Sequence, residues 1–324
     1  MELYAGDTWI PNDTLTECIT TEKMNCAGSL KFAVTKNFAP ILQDKTIITL
    51  TDGDETVFRG RVLSAVRRTA MPLAAVCEGE LAFFNDSTVA GAFRGEIEDV
   101  ISTLIELHNS RTDTWQHITE GVLNSGSTEY VVGEPGKRVK TIEMLQNAIA
   151  FESNRFLFFE NGSLNYDQIN SLRYINRQEI IFGENLISFQ REHRYDDIVT
   201  RVYAYGTTQT GEHFKLDDPV DAAAQYISKY GIIAKRLDVN ADTVEELQQI
   251  ARAALCVEHH DNIKIEAFDR HFIDSTIPRF RPRSVIVRSL PDNFSGVAVI
   301  SEVTQDWLHP EKNKIQVGTQ VKLV

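Results

Sequence analysis

From Thr46 to Ser87 the chain doubles back on itself twice, and this stretch constrains the fold more than any other. Thr46-Ile47-Ile48-Thr49-Leu50-Thr51 reads as an apolar strand. Asp52-Gly53-Asp54 follows, and these residues tolerate the positive φ of a tight hairpin turn. The chain returns from Thr56 to Val66, with Phe58, Val62 and Val66 on one face and Arg59 and Arg61 on the other. After Met71-Pro72 a third apolar run, Leu73 to Val76, leads into Cys77-Glu78-Gly79-Glu80-Leu81-Ala82-Phe83-Phe84-Asn85-Asp86-Ser87. Strands this short cannot bury a face alone, so the spacing predicts an antiparallel meander that closes on further strands.

The rest of residues 1–88 also reads as β. Leu30, Phe32 and Val34 alternate inward, bounded by Gly28-Ser29 before and by Asn37 and Pro40 after. Residues 89–190 change character. Ile97, Val100, Ile101, Leu104, Ile105 and His108 recur at helical spacing, with Glu96, Glu98 and Asp99 at the favourable start. A second helix is expected from Thr141 as N-cap, burying Ile142, Leu145, Ala148 and Ile149. Phe156-Leu157-Phe158-Phe159 then turns at Asn161-Gly162 into Leu164-Asn165-Tyr166, a strong hairpin signal. Residues 191–206 return to strand, with the run Asp197 to Gly206, and 207–261 read as an insertion with a helix opened by the capping box Asp242-Thr243-Val244-Glu245. Val244, Leu247, Ala251, Ala254 and Leu255 form its stripe. From Asn262 the chain is β again, ending in an alternating strand from Lys314 to Val324.

The expectation is a β-rich α+β chain with two β-barrel-like domains and two mixed α/β domains. Residues 1–88 form the first β domain and 89–190 an α+β domain. Residues 191–206 and 262–324 form the second β domain, and 207–261 an inserted α-containing domain.

The acids outnumber the bases, 46 to 33, for a formal charge of −13. That argues against a sequence-independent grip on nucleic acid, which needs clustered cations. No apolar run approaches the ~20 residues of a membrane span. Met1 to Asp7 has neither the basic nor the apolar part of a secretory signal. Cys18, Cys26, Cys77 and Cys256 are widely spaced and read as reduced thiols.

Candidate chemistry is sparse. Cys256 and His260, with His271, could be set against zinc templates, but their spacing matches none; a helix end with Cys256 packed inward is the simpler reading. Gly136-Lys137 lacks the outer Gly and Ser/Thr of a phosphate loop, since Val131 and Arg138 stand there. His108, His117, His193, His213, His271 and His309 are scattered without a nucleophile motif beside them. Asp52 with Asp54, and Asp196 with Asp197, read as solvated turn residues rather than acid–base pairs. The run Arg279-Phe280-Arg281-Pro282-Arg283, with Arg270 and Arg288 near it, is the one cationic stripe, and an intersubunit salt-bridge surface is favoured over DNA contact. No catalytic, cofactor-binding or metal residue is assigned, and no cofactor is expected.

A family resemblance rests on particular segments. The meander ending in C-E-G-E-L-A-F-F-N-D-S resembles the first domain of phage and prophage tail-tip proteins, the baseplate hubs and the hub regions of tail-associated lysins. Ile181-Phe182-Gly183-Glu184-Asn185-Leu186-Ile187 resembles that family's FG-NL junction. Val199-Thr200-Arg201-Val202-Tyr203-Ala204-Tyr205-Gly206 resembles its VTRV strand, and Tyr230-Gly231-Ile232-Ile233 its YG-I break. The resemblance spans nearly the whole chain and implies a structural, non-enzymatic hub in the virion tail tip, assembled in the host cytoplasm. It implies a homotrimeric ring in which two β domains per subunit imitate tail-tube subunits. The partners it implies are a tail-tube or distal tail protein on one side and a tip, spike or tape-measure protein on the other, with DNA only in transit. The alternative is the hub portion of a tail-associated peptidoglycan hydrolase, a cell-wall endopeptidase. A carbohydrate-binding receptor is a third reading, weakened by three Trp, at 9, 115 and 307, far apart in the chain.

Overall fold

A computed structural model of the chain describes residues 1–35, 42, 46–67, 71–152, 155–168, 176–194, 198–208, 211–257, 260–289, 291 and 293–318. Two compact units are present, Met1–Gln190 with Lys264–Val324, and Arg191–Ile263.

The first unit opens with β1 (Glu2–Ala5), β2 (Thr8–Ile10), β3 (Leu15–Lys23), β4 (Ser29–Val34), β5 (Ile47–Asp52), β6 (Glu55–Val66) and β7 (Leu73–Gly79). The expected meander is β5-β6-β7, antiparallel throughout. Gly53, at φ +58°, takes the left-handed turn position. Gly60 has a different role: a Cβ there would lie 2.1 Å from the Glu78 carbonyl oxygen, so only glycine lets β6 approach β7 so closely. The C-E-G-E segment ends β7 and passes into a 3₁₀ turn, Glu80–Asp86, that buries Leu81, Phe83 and Phe84.

Next come β8 (Thr88–Gly95), α1 (Ile97–Asn109), β9 (Thr119–Leu123), β10 (Tyr130–Lys140), α2 (Thr141–Ile149), β11 (Arg155–Glu160) and β12 (Ser163–Gln168). α1 buries the stripe expected of it, including His108. Thr141 is the first helical residue of α2 rather than its N-cap; Lys140 occupies the cap without a side-chain bond, because Thr141 turns inward. Asn161 and Gly162, at φ +50° and +76°, make the β11–β12 turn. Gly136 lies at a register shift in the β8–β10 pair, a bulge rather than a phosphate cradle. Phe83, Phe84, Ile101, Leu104, Leu145 and Tyr166 form the centre of this region's core.

β13 (Ile180–Ile181) and β14 (Leu186–Arg194) lead out of the first unit. The second unit has β15 (Arg201–Thr207), β16 (His213–Lys215), β17 (Val220–Asp221), α3 (Ala224–Tyr230), β18 (Ala234–Asn240) and α4 (Val244–Ala253). β15 pairs with β16, β17 and β18 in a four-stranded sheet covered by Leu247 and Ala251 of α4. The α4 cap is one residue later than the sequence predicts. Thr243 accepts from the Glu246 amide at 3.1 Å, and the Glu246 carboxylate accepts from the Asp242 amide at 2.8 Å. Val244 is consequently exposed and leaves the stripe.

The chain returns as β19 (His260–Ala267), β20 (Ser284–Ser289), β21 (Phe294–Asp306) and β22 (Lys314–Gly318). The continuation of the last strand to Val324, the bounding Asn37 and Pro40, the Asp196/Asp197 pair, His259, and the side chains of His193 and His260 lie outside the described residues.

β1–β7, β13, β14 and β19–β22 belong to one β-sheet of thirteen strands, largely antiparallel, in the order β14-β19-β22-β21-β3-β4-β7-β6-β5-β1-β2, with β20 beside β21 and β13 beside β20. The two ends of the chain contribute five strands each in the same order. In the N-terminal half, β5-β6-β7-β4-β3 are neighbours in the sheet in that order; in the C-terminal half, β20-β21-β22-β19-β14 are. The second strand of each set is long, and each carries a register shift at the corresponding place, between Val62 and Ser64 in β6 and between Ile300 and Glu302 in β21. A backbone bond repeats as well. The Val62 amide donates to the Thr46 carbonyl at 3.0 Å, and the Ile300 amide donates to the Arg283 carbonyl at 2.8 Å. Beyond the shift in β6 both faces of the strand are exposed, Leu63 to Val66, so Val66, expected inward with Phe58 and Val62, does not join them.

Candidate assembly joint

The two five-strand sets meet where β3 pairs with β21, from Glu302↔Lys23 to Asp306↔Ile19. Backbone bonds extend this joint at both ends. The Met24 amide donates to the Ser301 carbonyl at 3.0 Å, and the Trp307 amide to the Cys18 carbonyl at 2.9 Å. Trp307 then swings into the N-terminal core, among Leu3, Leu30, Phe32 and Phe58, and is only 7% exposed. Its indole N–H donates to Thr20 Oγ1 at 2.9 Å, so a ring contributed by the C-terminal strands completes the N-terminal core with its polar atom satisfied.

Beside it the loop after β19 brings the arginine run against the β5–β6 turn. Asp269 is fully buried and holds that loop in place. It accepts from Gln178 Nε2 at 2.9 Å, the His271 amide at 3.0 Å and the Phe280 amide at 3.3 Å. Arg281 reaches Glu22 at 2.7 Å and also pairs with Glu55. Arg279 pairs with Asp52 and stacks its guanidinium on the Trp307 ring, 4.7 Å from the centroid. Burial, and then the neighbouring Arg281, push the Arg279 guanidinium down to about 10, so it stays cationic at neutral pH. His271 Nδ1–H donates to the Ile277 carbonyl at 2.6 Å, which leaves Nε2 to accept from Arg279 at 3.0 Å.

These contacts bear on two expectations. The arginines of the Arg279–Arg283 run, expected at an intersubunit surface, pair with acids of their own chain, Arg283 with Glu160 at 3.0 Å included. Arg270 and Arg288 likewise pair with Glu184 and Glu179, at 3.3 Å and 3.0 Å. Asp52 is also not merely a solvated turn residue, because the hairpin places its carboxylate against Arg279. Asp54 remains exposed. Glu22, Asp52 and Glu55 lie more than two hundred residues from Arg279 and Arg281 in sequence, and no local pattern announces such a pair.

The other candidate residues are separately engaged. Cys256 bridges Val199 in the second unit, whereas His271 belongs to the arginine cluster of the first. Among the described residues, no group of three or more His, Cys, Asp or Glu side chains is placed to hold a metal ion. All four cysteines are free thiols, with Cys18 and Cys77 buried. One serine–histidine pair does form: the His108 Nε2–H donates to the Gln116 carbonyl at 3.1 Å, so Nδ1 accepts from Ser87 Oγ–H at 2.8 Å. Ser87 Oγ in turn accepts from Thr141 Oγ1–H at 2.7 Å. A nucleophile and base have this polarity, but all three side chains are sealed in the core. Burial lowers the His108 imidazole below its ordinary value and keeps it neutral. The trio ties α1 and α2 to the start of β8.

The segments that carried the family resemblance have local physical causes. Asn185 is buried, accepts from the Ile181 amide at 2.9 Å and donates to the Glu179 carbonyl at 3.0 Å, fixing the turn from β13 to β14. In the second unit Thr200 joins the other two segments. Its hydroxyl donates to the Gly231 carbonyl and accepts from the Ile233 amide, both at 2.8 Å. Gly231, at φ +76°, ends α3 so that this contact can form.

No protein-family model matches the chain, and no curated protein sequence does. Solved structures do match. The tail protein from Neisseria meningitidis MC58 aligns with a TM-score of 0.66 at 13% identity, over 98% of this chain and 95% of its own. The 43 kDa tail protein of prophage MuSo2 from Shewanella oneidensis gives 0.63 at 13% identity, over 98% and 97%. Prophage tail protein gp18 from Listeria monocytogenes EGD-e gives 0.62 at 10% identity, over 99% and 95%. At these identities the likeness is one of fold: the chain has the fold of phage and prophage tail proteins.

Proposed function

We propose that this chain is a structural tail-tip or baseplate hub protein of a phage or prophage. Three copies form a ring that joins the tail tube to the tip or spike and lets DNA pass. The observation that carries this reading is the repeated strand order, β5-β6-β7-β4-β3 and β20-β21-β22-β19-β14, within one chain of tail-protein fold. Each set acts as one barrel-like lobe. Two lobes per chain and three chains give six lobes, which matches a sixfold tube on one face and a threefold tip on the other. The charge of −13 suits a lumen that must not hold DNA, since a cationic wall would bind it through counterion release.

The role is mechanical, and hydrolysis of peptidoglycan is not assigned to it. Light scattering on the purified chain tests the reading, with an expected mass three times the 36.6 kDa of one copy. A strictly monomeric chain at all accessible concentrations would refute the ring. A zymogram on cell walls should show no clearing, and clearing would favour the hydrolase alternative.

A further inference from the structure

Among the described residues the repeat leaves one joint made and its counterpart open. In the C-terminal set, β20 takes one edge of β21 from Ser289↔Phe294 to Ser284↔Val299, and β3 takes the same edge beyond it, from Glu302 to Asp306. In the N-terminal set, β5 takes the matching edge of β6 from Asp52↔Glu55 to Ile47↔Arg61. Beyond Val62, no strand takes that edge of β6 among the described residues.

Alignment on the repeated amide bond places Leu63 opposite Ser301 and Ala65 opposite Val303. The Ser301 carbonyl accepts from Met24, and Val303 is 1% exposed beneath the joint. Their counterparts face solvent: residues 63–67 are all exposed, and the apolar side chains Leu63 and Val66 are 55% and 50% so. An open edge with apolar side chains is a template for another strand.

The pattern also names the strand that fits. β3 is the strand beyond β4 in the first set, and β14 is the strand beyond β19 in the second. β14 stands at one end of the sheet order. We propose that β6, over Leu63–Arg67, pairs antiparallel with β14 of a second copy of this chain and repeats between copies the β21–β3 joint made within each. The inference rests on the ring reading for the number of copies. Internal and external joints then alternate, and the third copy closes on the first.

The test is light scattering across a dilution series for the wild-type chain and for Leu63→Lys/Val66→Lys, both with matched circular dichroism and thermal melts. The substituted side chains are solvent-facing in a single copy, so folding is expected to persist. The trimer is expected to need on the order of a hundredfold higher concentration, the size of effect carried by charging the centre of an interface. A wild-type trimer with an equally tight double variant overturns the edge pairing and leaves the ring standing; a wild-type monomer overturns both. If the variant misfolds, amide exchange on the wild-type chain decides. Protection of residues 63–67 and of β14 must rise with trimer formation, and unchanged exchange there refutes the proposal.

Discussion

Trp307 permits a quantitative test of whether the N- and C-terminal strand sets are one cooperative structure. The side chain is nearly buried, and an aromatic ring in that state hides on the order of 200 Å². At 25 cal/mol/Å² that is about 5 kcal/mol, an upper bound because the unfolded chain is itself partly compact. Replacement by alanine in a core costs about 3–5 kcal/mol, so Trp307→Ala should fall near the middle of that range. It also removes the face on which Arg279 rests and the donor that satisfies Thr20. Trp307→Phe keeps most of the apolar surface and loses the indole N–H, so about 1–2 kcal/mol is expected. Thr20→Val should cost a similar amount alone and almost nothing more in the Trp307→Phe background, because both remove the same bond. The assay is urea denaturation followed by far-ultraviolet circular dichroism, with residue-level amide exchange. The decisive readout is location: amides in β4 and β7, strands that do not pair with β21, should lose protection in Trp307→Ala. If only amides of β21 and β22 loosen, or if the Thr20 and Trp307 effects add in full, the joint does not couple the two sets.

Gly60→Ala forces a methyl group against the Glu78 carbonyl and should cost about 3 kcal/mol, seen as a fall of several degrees in Tm; an unchanged melt would contradict the close approach of β6 and β7. His108 is held neutral in the fold while the unfolded chain takes up a proton near pH 6.5, so its contribution to stability is present above that pH and is lost as the pH falls below it. The urea midpoint should therefore drop between pH 7 and 5, with a slope of at most about 1.4 kcal/mol per pH unit from this group, and His108→Gln should flatten that part of the profile. Burial pushes the Cys18 and Cys77 thiols up to about 12, whereas Cys26 is exposed. An aromatic disulfide reagent at pH 8 should label Cys26 at once and Cys18 and Cys77 only after denaturant is added; rapid labelling of either in the native chain would show that the N-terminal core is open.

What could be read from the sequence was what short-range chemistry determines. Asp52-Gly53 and Asn161-Gly162 mark their turns because only a few residue types accept the left-handed backbone there. α1 is legible because one apolar stripe and its acidic first turn agree. The errors fall where a neighbour distant in sequence decides. Val66 lies beyond a register shift, where β6 has left the core on both faces, and the residues themselves carry no signature of that. The first part of β14, Leu186–Gln190, is not legible as strand, its first two residues reading as a junction, because what stabilises it is its place beside β19. The arginine run looks like an external surface because its acids, Glu22, Asp52 and Glu55, lie at the other end of the chain. In the sequence Trp307 suggests at most a sugar platform, and its seat in the N-terminal core is invisible without the pairing of β3 with β21.

That seat has a consequence for biosynthesis. Thr20 and Trp307 are 287 residues apart. At about 5–20 residues per second, a ribosome that has made the first strands needs roughly 15–60 s more before the indole that finishes their interior emerges. During that interval the nascent N-terminal sheet has an unfilled slot and one unpaired edge on β3, the edge that β21 later takes.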